Sequence, residues 1–280
     1  MIIENVDWQI TSMCNRKCAY CYGPTYHDEL SIDKAKAVVD ILASNGVKQI
    51  GLTGGEPLLY SCIKELVDYI FGKGIKIYLS TNCDLYQENA EWIKEKVSII
   101  GVPIDGSCSE INDSIRGTGS FNAVTNAIRD IINSKSSLKI KCGTVVTNQN
   151  IEDLLNIERF LMQFQNRILF WKLYELILYE KNIENSKKLQ TMLDFSYTSL
   201  LGEQLGKEKV IIDTIQKRNR SYFFVDPIGN IFIPILSTNL SEERILGNIL
   251  KDDISVILAK FEKVFSPIGY NKTYRYMKNS

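Results

Sequence analysis

Short apolar runs alternate with amphipathic stretches over the first two thirds of the chain. Residues 6–13 (VDWQITSM) read as a strand. Residues 31–44 then place Ile32, Ala35, Val38, Val39 and Leu42 at helical spacing behind Ser31, a residue type suited to cap a helix N-terminus. The alternation continues through strand 47–53, helix 61–74 closed by Gly74, strand 75–81, helix 88–96, strand 98–105 and helix 121–133. Strand 138–146, helix 151–163, strand 168–176 and helix 185–201 follow. Six strand–helix units in a row require crossover connections and a parallel sheet, either doubly wound or an incomplete barrel. The tail breaks the rhythm: YFFVDPIGNIFIPI (222–235) predicts a hairpin turning near Pro227–Gly229, and a last helix is expected over 253–265. The expected class is α/β with a small C-terminal hairpin-and-helix extension, in segments 1–205 and 206–280.

Composition narrows the chemistry. Of 280 residues, 45% are hydrophobic and 24% charged, an ordinary globular balance. The 33 basic residues match 33 acidic ones, which argues against a dedicated binder of nucleic acid or membrane surfaces. No apolar stretch nears the ~20 residues that span a bilayer. The N-terminus lacks a basic leader, so a cytoplasmic location is expected. A single histidine, His27, excludes a mechanism built on two imidazoles. The seven cysteines (Cys14, Cys18, Cys21, Cys62, Cys83, Cys108 and Cys142) do not read as a disulfide framework. Three of them crowd into CNRKCAYC (14–21), and none follows Cys142.

Thiolates ligate iron–sulfur clusters or zinc. Three closely placed cysteines at the end of the first strand suit three irons of a 4Fe–4S cluster, with the fourth iron open. A structural zinc site wants four closed ligands and would need Cys62, Cys83 or His27 to complete it. The polar residues Asn15, Arg16 and Lys17 speak against three unligated core cysteines. The next strand runs into GLTGGEP (51–57). Paired glycines let a backbone approach a ligand closely, and Glu56 offers a carboxylate to an ammonium group. These candidates all fall at the C-terminal ends of expected strands, where parallel α/β folds place their chemistry.

Together, CNRKCAYC and TGGEP resemble the three-cysteine and Gly-Gly-Glu-Pro motifs of the radical S-adenosylmethionine (SAM) superfamily, over about residues 6–180. The resemblance implies a partial (β/α)6 radical SAM barrel in which Cys14, Cys18 and Cys21 bind one 4Fe–4S cluster. The open iron would take the amino and carboxylate groups of SAM. The Tyr20 backbone would pack against the adenine, and Gly54, Gly55 and Glu56 would hold the methionine amino group. Ser80-Thr81-Asn82 resembles the family's third-strand Thr-Asn-Gly segment, with Cys83 in place of the glycine. That makes Ser80 and Asn82 cofactor-binding candidates. Asp105-Gly106 resembles an Asp-Gly pattern, while Pro103 replaces a ribose-binding serine. NDSIRG (112–117) makes Arg116 a candidate for the SAM carboxylate, which a guanidinium fits bidentately. Thr147, Asn148 and Glu175 end later strands and are candidates to face a substrate.

The tail is similar to the SPASM or twitch extensions of that superfamily. Ile233-Pro234-Ile235 occupies the stretch where a cysteine is expected, so no auxiliary cluster is expected. TVVTNQN (144–150) and WKLYEL (171–176) resemble segments of viperin-like enzymes, which act on nucleotides. The implied function is reductive cleavage of SAM to a 5′-deoxyadenosyl radical that abstracts hydrogen from an organic substrate. A peptide or natural-product intermediate is one substrate reading, and a nucleotide or sugar nucleotide the alternative. The electron would come from an external donor such as flavodoxin or ferredoxin. A non-catalytic iron–sulfur or zinc protein is the reading from another class; TGGEP speaks against it, since an electron carrier needs no amino-acid clamp.

Overall fold

The structure is a computed structural model that describes residues 3–26, 28–179, 183–190, 200–236 and 241–266. Six strands pair in chain order, all parallel: β1 (Asn5–Thr11), β2 (Gln49–Gly54), β3 (Lys76–Ser80), β4 (Ile99–Pro103), β5 (Lys139–Val146) and β6 (Ile168–Glu175). Helices α1 (Ile32–Ser44), α2 (Ile63–Gly72), α3 (Tyr86–Lys96), α4 (Ser109–Arg116), α5 (Ser120–Asn133) and α6 (Leu154–Met162) form the crossovers. Their buried faces are the apolar ones, as Ala35, Val38, Val39 and Leu42 of α1 illustrate.

The later chain builds both edges of the same sheet. Strand β7 (Val210–Asp213) joins β6 in parallel. On the other side β8 (Phe224–Val225) lies parallel to β1 and antiparallel to β9 (Asn230–Leu236), which pairs with β10 (Ser241–Asn248). Among the described residues the ten strands run β10-β9-β8-β1-β2-β3-β4-β5-β6-β7, and no pairing joins the two edges. The architecture is the expected α/β partial barrel. Phe223, Val225, Ile231, Ile233, Ile257 and Phe261 of the extension belong to the main hydrophobic core.

Most expected elements appear within a few residues of their forecast ends, with specific departures. The first strand ends at Thr11 and the fourth at Pro103, so Cys14 and Asp105 stand on the loops beyond. Helix α4 and strands β7 and β10 were not foreseen. Each is short or carries charged residues that dilute its apolar pattern, and pairing to a neighbour supplies what local propensity lacks. Of the helix expected over 185–201, the structure describes a helix at Ile183–Leu189; residues 191–199 lie outside the described residues, as does His27.

Side chains on a strand alternate between faces, and here the alternation sorts two environments. Val6, Trp8 and Ile10 of β1 point into the core, whereas Asp7 and Gln9 line an interior cavity. Likewise Ile77 and Leu79 of β3 are core while Tyr78 and Ser80 line the cavity. On β5 and β6 the cavity takes Lys141, Gly143, Phe170, Lys172 and Tyr174.

Candidate active site

The cavity has a volume of about 320 Å³ and opens at the C-terminal ends of β1–β6. Cys14, Cys18 and Cys21 all line it, with Tyr20, Gly54, Gly55, Ser80, Asn82 and Arg116. Nine of the ten candidates for the cluster and SAM therefore line one cavity; Glu56 does not line it.

Glu56 is completely buried. One carboxylate oxygen accepts the Leu58 backbone N–H at 3.1 Å and the Thr81 hydroxyl at 2.7 Å; the other accepts the Asn82 backbone N–H at 2.7 Å. It ties the loop after β2 to the loop after β3. Burial pushes its carboxyl above the usual range, against the pull of those three donors. In this geometry its side chain serves the site through Asn82.

The paired glycines have a similar local reason. The Gly55 N–H donates to Thr11 O at 2.8 Å and the Glu56 N–H to Met13 O at 2.7 Å. A Cβ on Gly55 would lie 2.1 Å from Met13 O, and Gly54 has φ +127. The close backbone approach is to the segment that leads into Cys14, and only glycine permits it.

The cysteine loop is braced by charge. Asn15 Nδ2 donates to Asp84 Oδ2 at 2.8 Å, and the Arg16 guanidinium pairs with the other Asp84 oxygen. Arg16 also donates to Gly117 O at 3.1 Å. The Tyr20 hydroxyl bonds Asp105, and Arg116 donates to both Tyr20 and Asp105 (2.9 Å to the carboxylate). Asp105 also accepts the Val145 N–H at 2.8 Å. Arg116 is thus held at the cavity wall by a carboxylate, with its remaining edge available to the cavity. Burial pushes the Cys14 and Cys18 thiols up, with Arg116 opposing in both cases.

Three orphaned donors stand out. The Nε atoms of Arg16, Arg116 and Arg218 are buried without a hydrogen-bond partner, and all three side chains line the cavity. The cationic side chains on this wall suit acceptor-rich groups. The donor set fits an iron–sulfur cluster: three thiols outside any disulfide line the cavity together with two of those arginines. Among the described residues, no three Cys, His, Asp or Glu side chains gather round a single point as one metal ion requires. A cubane asks for less convergence, with one thiolate at each of three irons. Cys62, half-buried at the start of α2, and Cys83, buried, do not line the cavity, nor do Cys108 and Cys142. Cys83 has φ 69, the left-handed conformation in which glycine is most at ease.

The deeper cavity was missed by sequence reasoning. Lys141 donates to Tyr78 OH at 2.9 Å and lies 5.2 Å from the Tyr174 ring centre. Lys172 lies 2.6 Å from Asp213 Oδ2, 2.9 Å from Tyr222 OH and 5.0 Å from the same Tyr174 ring. Arg218 lies 5.5 Å from that ring and donates to Glu175 O. Burial acts against the charge on Lys141, but Tyr174 and Tyr78 hold its pKa well above the ordinary lysine value. Of the other candidates, Glu175 lines the cavity and accepts the Ile215 N–H at 2.7 Å. Thr147 is buried and bonded to Asn150 within its loop, and Asn148 donates to Lys188 O at 2.9 Å, tying that loop to the helix Ile183–Leu189. A usable signal existed: polar residues at every second position within strands of a parallel sheet, which otherwise run apolar on both faces.

A family model described as the radical SAM superfamily matches residues 8–161. The chain is 36% identical over 157 residues to an Fe-coproporphyrin III synthase of Methanosarcina barkeri, covering 53% of this chain and 38% of that one. It is 24% identical over 287 residues to an S-adenosylmethionine-dependent nucleotide dehydratase of Selenomonas ruminantium, covering 96% and 98%. The chain thus spans about two fifths of the first relative's length and nearly all of the second's. Its fold is similar to that of Streptococcus suis SuiB, solved with S-adenosylmethionine, with a TM-score of 0.70 at 14% identity, covering 97% of this chain and 68% of SuiB. Among the described residues no helix is long and apolar enough to cross a membrane.

Proposed function

Because this chain belongs to the radical SAM superfamily, whose members use a 4Fe–4S cluster and SAM, we propose that it is a radical SAM enzyme acting on an anionic organic substrate of the nucleotide class. Bound together, cluster and SAM supply a 5′-deoxyadenosyl radical able to take hydrogen from an unreactive C–H bond. The protein's share is to bind, orient and exclude water. Cys14, Cys18 and Cys21 would hold one cluster. The backbone at Gly54 and Gly55, with Ser80, Asn82 and Arg116, would receive SAM, and Tyr20 would flank its adenine. An external flavodoxin- or ferredoxin-like protein would deliver the electron.

The observation that carries the substrate class is the grouping of Lys141, Lys172 and Arg218 around the Tyr174 ring, on the floor of the same cavity. Three cations crowded on one ring repel one another; Asp213 pairs with Lys172, while Lys141 and Arg218 have no carboxylate within 4 Å among the described residues, although Asp7 and Glu175 also line the cavity. A phosphate or polyphosphate would neutralise Lys141 and Arg218, both of which line the cavity. Tyr22 and Tyr179, stacked 5.8 Å apart at the cavity wall, offer faces for a base. The end-to-end similarity to a nucleotide dehydratase supports this reading. A peptide substrate is the second reading, supported by the fold shared with SuiB, which was also solved with its precursor peptide SuiA.

The test is 5′-deoxyadenosine formation by the reconstituted, reduced protein with SAM and a panel of nucleoside triphosphates, sugar nucleotides and peptides. At least one nucleotide should raise turnover well above the substrate-free rate. Stimulation by peptides alone would overturn the nucleotide assignment.

A further inference from the structure

The stretch between Cys14 and Cys18 has three polar residues, and two of them, Asn15 and Arg16, could have been solvated loop positions. Instead both converge on one carboxylate, Asp84, in the loop after β3. Arg16 is 9% exposed and Asp84 21%. A second bond from the same loop, Asn82 Nδ2 to Asn15 Oδ1 at 2.8 Å, closes a two-point brace. The loop that presents these groups is itself fixed: Asn82 Oδ1 accepts the Asp84 N–H at 2.9 Å, and Glu56 holds the Asn82 N–H. From its other end Arg16 reaches Gly117 O and Thr118 O beyond α4, so the guanidinium bridges two walls of the cavity mouth. Its Nε remains buried and unmatched on the cavity wall.

We propose that Asp84 is a positioning residue for the cysteine loop. Through Asn15 and Arg16 it sets the path from Cys14 to Cys18. The inference rests on the reading of Cys14, Cys18 and Cys21 as cluster ligands. The physical reason is economy of order: a loop of three residues between two ligands loses freedom when the cluster binds, and a preformed brace removes part of that cost beforehand.

The experiment compares wild type with Asp84→Ala and Asp84→Asn. Hydrogen exchange over residues 14–18 is followed in the cluster-free protein, and iron release to a chelator after anaerobic reconstitution. Asp84→Ala should speed exchange at 14–18 while leaving the central strands protected, and should speed iron release roughly tenfold, the scale of a lost charge-assisted hydrogen bond. Asp84→Asn keeps an acceptor for Asn15 without the charge for Arg16, and should fall between. Unchanged exchange and unchanged iron release in Asp84→Ala would overturn the proposal. A wild type that binds no iron would instead overturn the cluster reading, and the exchange measurement would still decide whether Asp84 braces the loop.

Discussion

The Lys172 ammonium lies 2.6 Å from the Asp213 carboxylate on the neighbouring strand, and both side chains are almost wholly buried. Removing one partner of such a pair leaves an uncompensated charge in a low-dielectric site, so Asp213→Ala should destabilise the fold by about 3–5 kcal/mol. Urea unfolding measures this, and combining Asp213→Ala with Lys172→Met should restore much of the loss. Burial alone would raise the Asp213 pKa, but Lys172 and Arg218 outweigh it and hold the carboxyl below its ordinary value of 3.8. A depressed carboxylate contributes stability above its unfolded value and loses it as pH falls through the folded one. The contribution of this pair should therefore be intact at neutral pH and fade below about pH 4.

Glu56 should act with the opposite sign. Its folded pKa is raised above the ordinary 4.5, so the folded state holds its proton more tightly than the unfolded chain. Stability should fall as pH rises from about 4.5 through the raised value, then level off. Glu56→Gln should remove that slope. Glu56→Ala strands the buried donors Asn82 N and Thr81 Oγ1 and should cost roughly 1–3 kcal/mol per group at any pH. Thermal unfolding across pH 4–8 separates the two effects.

Iron analysis tests the cluster assignment. Reconstituted wild type should carry about four irons per chain, as one 4Fe–4S cluster requires. Replacing Cys14, Cys18 or Cys21 by Ala should sharply reduce bound iron and abolish SAM cleavage. Alanine at Cys62 or Cys108, which do not line the cavity, should leave iron content at the wild-type level. A triple Cys14/Cys18/Cys21 alanine variant that still showed a cluster by EPR would mean a second site exists.

The cavity floor is tested by kinetics. Lys141→Met and Arg218→Met should raise the KM for the stimulating nucleotide by about tenfold each, the loss of one charge-assisted contact. Iron content should not change, because neither residue lies on the cysteine loop. Equal KM values in variants and wild type would remove these cations from substrate binding.

Much of this was legible in the chain itself. The apolar alternation marked the six parallel strands because buried strands must be apolar and crossover helices must be amphipathic, a constraint local enough to read. CNRKCAYC and TGGEP announced the cavity mouth because thiol clusters and paired glycines have few other uses at strand ends. What escaped were relationships between distant residues. Whether the Glu56 carboxylate meets a ligand or the Asn82 N–H depends on how two loops 25 residues apart pack, which no local pattern encodes.

The amino-acid order determined the class of fold and the clustering of three thiols just beyond the first strand, because periodicity and residue type express themselves locally. Only the tertiary structure decided that Lys141, Lys172 and Arg218 meet at Tyr174, that Asp213 arrives on an unforeseen strand to pair with Lys172, and that the late hairpin pairs with β1. Those outcomes hang on strand register and on which side chains a parallel sheet turns inward. A shift of one residue would send Lys141 and Lys172 to the opposite face, and that choice is made by packing across the whole sheet.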